Sequence, residues 1–315
     1  MTKKERVLAV FHNKKVDYVP AGFWFHYNAD DTVQETIDEH LKLYRETGMD
    51  LIKIMQDYMY PVEGNITCAD DWYHISVKDT SSEEFKKMSD VIHGIRKEAG
   101  NDVLIFQTMY GPTKAASIAF GDDVLMKYAK ESPKAVKAGL EILAEGLQKW
   151  ARAFLEDGAD GIYYSAQFSE NGRFTKEQWE DLVKPFDLMI LNVADTMSDR
   201  YNILHICGEP EYEFHTSIDW FTDYPADIVN WSVKDNGYPL KKGRAVFQKA
   251  ILGGMDNKGN IAKGPKESIA DEVHGILDAF GSLGIMIGAD CTVQGENIRL
   301  DYIKTAVDAA HNYKK

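Results

Sequence analysis

"YNILHICG", residues 201–208, decides the reading of the fold. It is an apolar run of strand length closed by glycine, and it carries two polar side chains, His205 and Cys207, two positions apart. Alternate residues of a strand point to one side, so these two leave the chain on the same face, near its carboxyl end. Runs of the same kind flank it. They are "VPAGFWF" (19–25), "DLIKIM" (50–55), "DVLIFQTM" (102–109) and "ADGIYYSAQ" (159–167) before it, then "DIVNWSV" (227–233), "AILGGMD" (250–256) and "GIMIGADC" (284–291) after it. Near-continuous apolar character predicts parallel strands covered on both faces. Helical patterns such as "EHLKLYRETG" and "ESIADEVHGILDAFGSLG" separate the runs, and several end in Gly as a helix C-cap should. Eight strand–helix units predict one α/β domain over 1–315, a (β/α)8 TIM barrel, with a doubly wound open sheet as the alternative. The loop "KDTSSEE" (78–84), part of an insertion between the second and third runs, and the long helical region 113–157 are extra to a minimal barrel.

With 315 residues, 44% of them hydrophobic, the chain can bury a sizeable core. Its 36 basic and 50 acidic residues give a net charge of −14, which argues against binding nucleic acid or an anionic membrane. No run approaches the roughly 20 apolar residues of a bilayer span, and the basic N-terminus has too short an apolar stretch for a signal peptide. A cytoplasmic location is therefore expected, where three scattered cysteines stay free as thiols.

In a barrel, catalytic groups sit where strands end. Cys291 ends the eighth run on the same rim as His205 and Cys207, so the three can converge across the sequence gap. Two thiolates and one neutral imidazole suit Zn²⁺, and three protein ligands leave a coordination position open, the mark of a catalytic site. The plain alternative is a chance His-x-Cys pair and ordinary core cysteines. Zn²⁺ with two thiolates is electrically neutral, a weak Lewis acid for hydrolysis but able to hold an incoming thiol as its thiolate.

The chain resembles the uroporphyrinogen decarboxylase family over nearly its whole length. The matching pieces are "ERVLAVFHNKKVDYVP" (5–20), "GMDLIKIMQDYMYPVEG" (48–64), "FQTMYGP" (106–112), "HICG" (205–208), "ILGGMDNKG" (251–259) and "ENIRLDYIKTAV" (296–307). The resemblance implies a (β/α)8 barrel and one of two activities. The decarboxylases carry an arginine-rich signature after the first strand, to hold an acidic tetrapyrrole. Here "AGFWFHYNADD" follows, with no arginine before Arg45. Asp57 falls where those enzymes have an essential aspartate. The second branch, the corrinoid-dependent methyltransferases, carries His-x-Cys and a distant Cys as zinc ligands, which His205, Cys207 and Cys291 match. Cobalamin-independent methionine synthase has a similar zinc arrangement with an added acidic ligand near the sixth strand. That run has no glutamate here, leaving Asn230, Asp235, water or substrate for the fourth position.

Other residues at strand ends are pocket candidates. Tyr163, Tyr164 and Gln167 close the fourth run, and alternation turns one of the tyrosines into the core. Gln107 and Tyr110 flank the end of the third run. Trp24, His26 and Trp231 would supply aromatic walls for a corrin face or aryl ether, and a proton donor in His26. Asp256 is the expected hydrogen-bond partner of His205, and the glycines beside it are read as turn residues. Cys68 is read as structural.

The reading reached is a zinc-dependent methyltransferase that moves a methyl group between a small substrate (methyl ether, methylamine or thiol) and a cobalamin. The sequence has no Asp-x-His-x-x-Gly cobalamin motif, so a separate corrinoid protein is the expected partner; a homodimer is a further expectation. A decarboxylase and a non-catalytic zinc or corrinoid carrier are the alternatives.

Overall fold

The computed structural model describes residues 1–57, 60–295 and 298–314. Tyr58, Met59, Glu296 and Asn297, which belong to two of the family-like pieces above, lie outside the described residues. Strand β1 (Leu51–Ile54) is followed by a small antiparallel pair, β2 (Val62–Glu63) and β3 (Ser76–Val77). The main sheet then adds β4 (Leu104–Tyr110), β5 (Gly161–Ala166), β6 (Tyr201–Ile206), β7 (Ile228–Trp231), β8 (Ala250–Met255) and β9 (Ile285–Ala289). These seven strands pair in the order β1-β4-β5-β6-β7-β8-β9, all parallel.

The sheet is curled. One buried cluster takes a side chain from every strand of it: Leu51, Phe106, Tyr163, Ile203, Ile228, Leu252 and Met286. Side chains from both edges can share one interior only if the edges bend toward each other. Helix α1 (Lys3–Phe11) packs Val7, Val10 and Phe11 into this cluster and so covers the amino-terminal ends of the strands. Its start is fixed by a capping box between Thr2 and Glu5.

The run 19–25, expected as the first strand, forms only an isolated parallel bridge between Ala21 and Ile287. Gly22 N donates to Ile287 O, and Ile287 N donates to Pro20 O, both at 2.9 Å. On the other side, Asp50 N donates to Ala21 O at 2.8 Å. Pro20 has no amide proton to give β9, and the Ala21 amide, which faces β1, is taken by the Asp50 carboxylate at 3.0 Å. The segment thus touches both edge strands without meeting the pairing pattern of a strand.

Outside the sheet, α2 (Val33–Thr47) begins at a Thr32–Glu35 capping box and ends at left-handed Gly48. The inserted helices include α3 (Glu83–Ala99) and the 24-residue helix Pro133–Glu156. The latter buries Val136, Leu140, Leu143, Leu147, Trp150 and Phe154, an i, i+3/i+4 stripe against neighbouring helices and the insertion. Among the described residues, no helix is long and apolar enough to cross a membrane.

Helix Lys184–Asp195 buries Asp187, whose oxygens accept from Tyr164 Oη at 2.6 Å and Tyr224 Oη at 3.0 Å. Burial pushes this carboxyl up from 3.8 to about 7. An acid with a higher folded pKa stabilises the fold while protonated. The contribution is full below the unfolded value of 3.8 and is lost as pH rises to about 7. Relative to the wild type, Asp187→Asn is therefore expected to flatten the fall of Tm over this window. Parallel Tm profiles for the two proteins would show that Asp187 does not link pH to stability.

Candidate metal centre

The polar ends of the inward-facing rows form the site. Along β6 and its extension the inward residues are Ile203, then His205, then Cys207, so apolar packing gives way to metal-type ligands toward the carboxyl end. Cys207 continues the ladder one residue beyond the strand, its amide donating to Ala166 O at 2.9 Å. Cys291 stands just after β9. The three ligand atoms lie within 4.8 Å of one another, and Cys291 Sγ is 3.4 Å from His205 Nε2. Tetrahedral zinc, with bonds of about 2.3 Å to sulfur and about 2.0 Å to nitrogen, separates neighbouring donors by about 3.5 Å. The donor types and spacing fit that ion. With no metal between them, the neighbouring thiol raises the pKa of Cys207 and lowers that of Cys291.

The imidazole is oriented from behind by Asn230. Asn230 Nδ2 donates to Leu252 O at 2.7 Å and Ala289 O at 3.0 Å, which leaves Oδ1 as an acceptor for His205 Nδ1–H. That fixes the tautomer: the proton is on Nδ1, and the Nε2 lone pair faces the two sulfurs. Tyr163 Oη also reaches Asn230 Oδ1, at 3.4 Å. Asn230 lies in the sequence run singled out for a fourth ligand, but its amide is consumed in holding His205. Asp235 is engaged by Lys258 at 2.9 Å and by Ser232. Asp256, expected to hold His205, instead pairs with Lys234 and accepts from Lys258 N at 3.0 Å. The adjoining glycines lie within β8 rather than in a turn. Gly253 has φ +146°, and a Cβ there would stand 3.0 Å from Asn230 Nδ2. A side chain at 253 would crowd the amide that orients the histidine.

A cavity of about 520 Å³ opens beside the three ligands. Of the residues singled out in the sequence, Trp24, His26, Tyr110, Tyr163 and Gln167 line it. Asp57 stands next to it. It accepts from Tyr27 N at 3.1 Å and pairs with His26 Nδ1 at 2.6 Å. Gln167 lines the cavity, and its Oε1 is buried with no hydrogen-bond partner among the described residues.

Two expectations, Trp231 and Gln107, are corrected by strand alternation. Trp231 points away from the cavity: its ring packs on Tyr238 and Phe247, and Nε1 donates to Tyr238 O at 2.9 Å. Gln107 lies on the outer side of β4, where Nε2 donates to Thr108 O at 3.0 Å, while Thr108 and Tyr110 face in. Of the tyrosine pair, Tyr164 is the outward one, bound to Asp187. Cys68 is exposed, far from the site in the insertion, beside the Thr67–Asp71 hydrogen bond.

Sequence reasoning missed Lys53. It lies in β1 with its ammonium facing the cavity, 4.3 Å from the Tyr163 ring centroid and 5.2 Å from that of Trp24. Burial lowers its pKa to about 7. The signal was available, since it is the one charged side chain inside the apolar stretch "LIKIM".

A curled parallel α/β sheet with its chemistry at the carboxyl ends defines the class of protein, and the comparisons supply the family. The profile described as Uroporphyrinogen decarboxylase (URO-D) matches residues 46–313, and the chain belongs to that family. Among solved structures it is similar to a methyltransferase from Methanosarcina mazei, at 20% identity and TM-score 0.77, with 98% of each chain covered. It is also similar to a B12-independent methionine synthase from Shewanella sp. W3-18-1 in complex with selenomethionine. That match has 11% identity and TM-score 0.59, and covers 89% of this chain and 86% of that one. A comparison with curated proteins gives no match.

Proposed function

We propose that this protein is a zinc-dependent methyltransferase that works with a corrinoid carried by a partner protein. Its barrel would be closed by the 20–22 segment in the eighth strand position. The observation that carries the proposal is the convergence of His205 Nε2, Cys207 Sγ and Cys291 Sγ beside a ligand-sized cavity, with Asn230 holding the imidazole proton on the far nitrogen. When bound there, zinc offers an open coordination position to the thiol, ether or amine heteroatom whose methyl group is exchanged. Cys207 and Cys291 supply the two negative charges that favour a nucleophilic rather than a hydrolytic site. Trp24, Tyr110 and Tyr163 give the small substrate an aromatic wall, the Tyr163 hydroxyl is the candidate contact to its polar atoms, and Gln167 lines the same cavity. His26, held by Asp57 at the cavity edge, is the candidate proton donor to a leaving group. The corrin would approach over the cavity mouth on its carrier.

The decarboxylase alternative lacks the guanidinium groups a propionate-rich tetrapyrrole needs: among the described residues the cavity lining contains no arginine. Uroporphyrinogen is accordingly expected to give no coproporphyrinogen, and steady conversion would overturn the proposal.

The direct test supplies zinc-loaded protein with cob(I)alamin and a panel of methyl ethers and methylamines, and with methylcobalamin and a panel of thiols. Formation or loss of methylcobalamin is followed by absorbance. At least one substrate should turn over, and His205→Ala should remove that activity. Tyr163→Phe removes one hydrogen bond, worth about 0.5–1.5 kcal/mol, and should reduce the rate only about 2- to 12-fold. Activity unchanged in His205→Ala would sink the assigned role of the metal centre.

A further inference from the structure

The cavity wall carries a buried lysine that is paired with no carboxylate among the described residues. Besides the candidate ligand His205, three lining residues are cationic or can become so. His26 is paired with Asp57, and Lys114 is paired with Glu209. Lys53 is different. It is buried, it projects from the inward face of β1, and its one hydrogen bond among the described residues is to the soft sulfur of Met55, at 2.8 Å. Its other near neighbours are the faces of Tyr163 and Trp24. Aromatic faces and a thioether attract an ammonium, but they do not replace the water and counter-charge lost on burial. Asp57, at the edge of the same cavity, already accepts from His26 and Tyr27.

The two cysteines do not settle the balance either. With a divalent ion on the three ligands, their two negative charges are spent on that ion and the centre is neutral. A buried ammonium with donor capacity left over, facing empty volume, is an anion-binding element.

We propose that Lys53 binds an oxyanionic group of the substrate, so that the small molecule handled in this cavity is an organic carboxylate or sulfonate. Its anionic end lies at β1, and its reacting heteroatom lies across the cavity at His205, Cys207 and Cys291. This rests on the proposed site for the choice of reacting end, but the anion preference is a property of the cavity alone. Lys53 is then the specificity-determining residue, and the aromatic rings beside it hold the body of the substrate.

The test is calorimetric titration of zinc-loaded protein with pairs of equal shape and different charge. The pairs are 4-methoxybenzoate against 4-methoxybenzamide, and acetate against acetamide, with methanesulfonate and 4-methoxybenzenesulfonate as sulfonate arms. Wild type is expected to bind at least one anion about 10-fold or more tighter than its neutral partner, as a charged hydrogen bond predicts. Lys53→Met keeps the side-chain length and should erase that preference while leaving neutral-partner affinity within a few-fold. Lys53→Arg should retain most of it. If Lys53→Met does not fold, Lys53→Gln serves the same comparison. The relative strength of the carboxylate and sulfonate arms identifies which oxyanion is recognised. If no anion outbinds its neutral partner, or if the preference survives in Lys53→Met, the inference is wrong. Its failure is separable from that of the methyltransferase reading. Methyl transfer with no anion preference removes only the role of Lys53, whereas an anion preference with no methyl transfer removes only the activity.

Discussion

Cys291→Ala is expected to lower the zinc content of the purified protein from about one ion per chain to almost none, and Cys207→Ala to do the same. Loss of a group that merely supports a ligand costs about 10- to 100-fold in metal affinity, and loss of a ligating thiolate should cost at least that. The two variants carry different information. Cys207 shares a strand end with His205, so its importance follows from local spacing alone. Cys291 is brought to them by β9 lying next to β8, with β8 next to β7 and β7 next to β6. Zinc measured by atomic emission after dialysis against a weak chelator is the check. Full retention in Cys291→Ala with loss in Cys207→Ala would mean that the far cysteine packs beside the site without binding. Because the ion binds only the folded chain, removing it from wild type should also lower Tm, and that drop should be absent in both variants.

Asn230→Leu should have the second-largest effect, on two quantities at once. It strips the buried carbonyls of Leu252 and Ala289 of their donor and leaves His205 Nδ1–H without an acceptor. At about 1–3 kcal/mol for each buried group left unpaired, the two carbonyls alone imply about 2–6 kcal/mol of stability. The freed imidazole can also tautomerise or rotate, so zinc affinity should fall by about 10- to 100-fold. Denaturant unfolding of the metal-free protein reads the first effect, and competition with a chromophoric chelator reads the second. Asn230→Asp keeps the acceptor for His205 but turns a carboxylate toward two carbonyl oxygens. It should therefore preserve the tautomer better than Asn230→Leu while still losing stability. An Asn230→Leu protein as stable as wild type, with unchanged zinc affinity, would show that the hydrogen bonds to Leu252, Ala289 and His205 do not support the site.

Much of the outer error in the sequence reading came from neglecting alternation. Asn230 and Trp231 are adjacent, so both cannot face one cavity; once Asn230 was considered near the metal, Trp231 belonged outside. Gln107 and Tyr110 are three apart and also fall on opposite faces, as the structure has them. Tyr163 and Tyr164 were correctly recognised as a split pair, but which one faced in depended on the phase set by Gly161 and its neighbours in β5. Lys53 stands within an apolar run, and a lysine inside a strand covered on both faces has to end in a cavity or an ion pair.

The sequence by itself determined the parallel α/β character, the positions of seven sheet strands, and the pairing of His205 with Cys207, because each depends on period-two or period-3.6 patterns within a few residues. Only the tertiary structure decided that Cys291 joins them, that Asn230 rather than Asp256 holds the imidazole, and that Gly253 leaves space for its amide. It also decided that the 19–25 run makes one bridge to β9 instead of a ladder strand. These outcomes rest on contacts between segments far apart in the chain. There, side-chain hydrogen bonds compete for the same few donors and acceptors, and only the folded arrangement fixes which partner is within 3 Å.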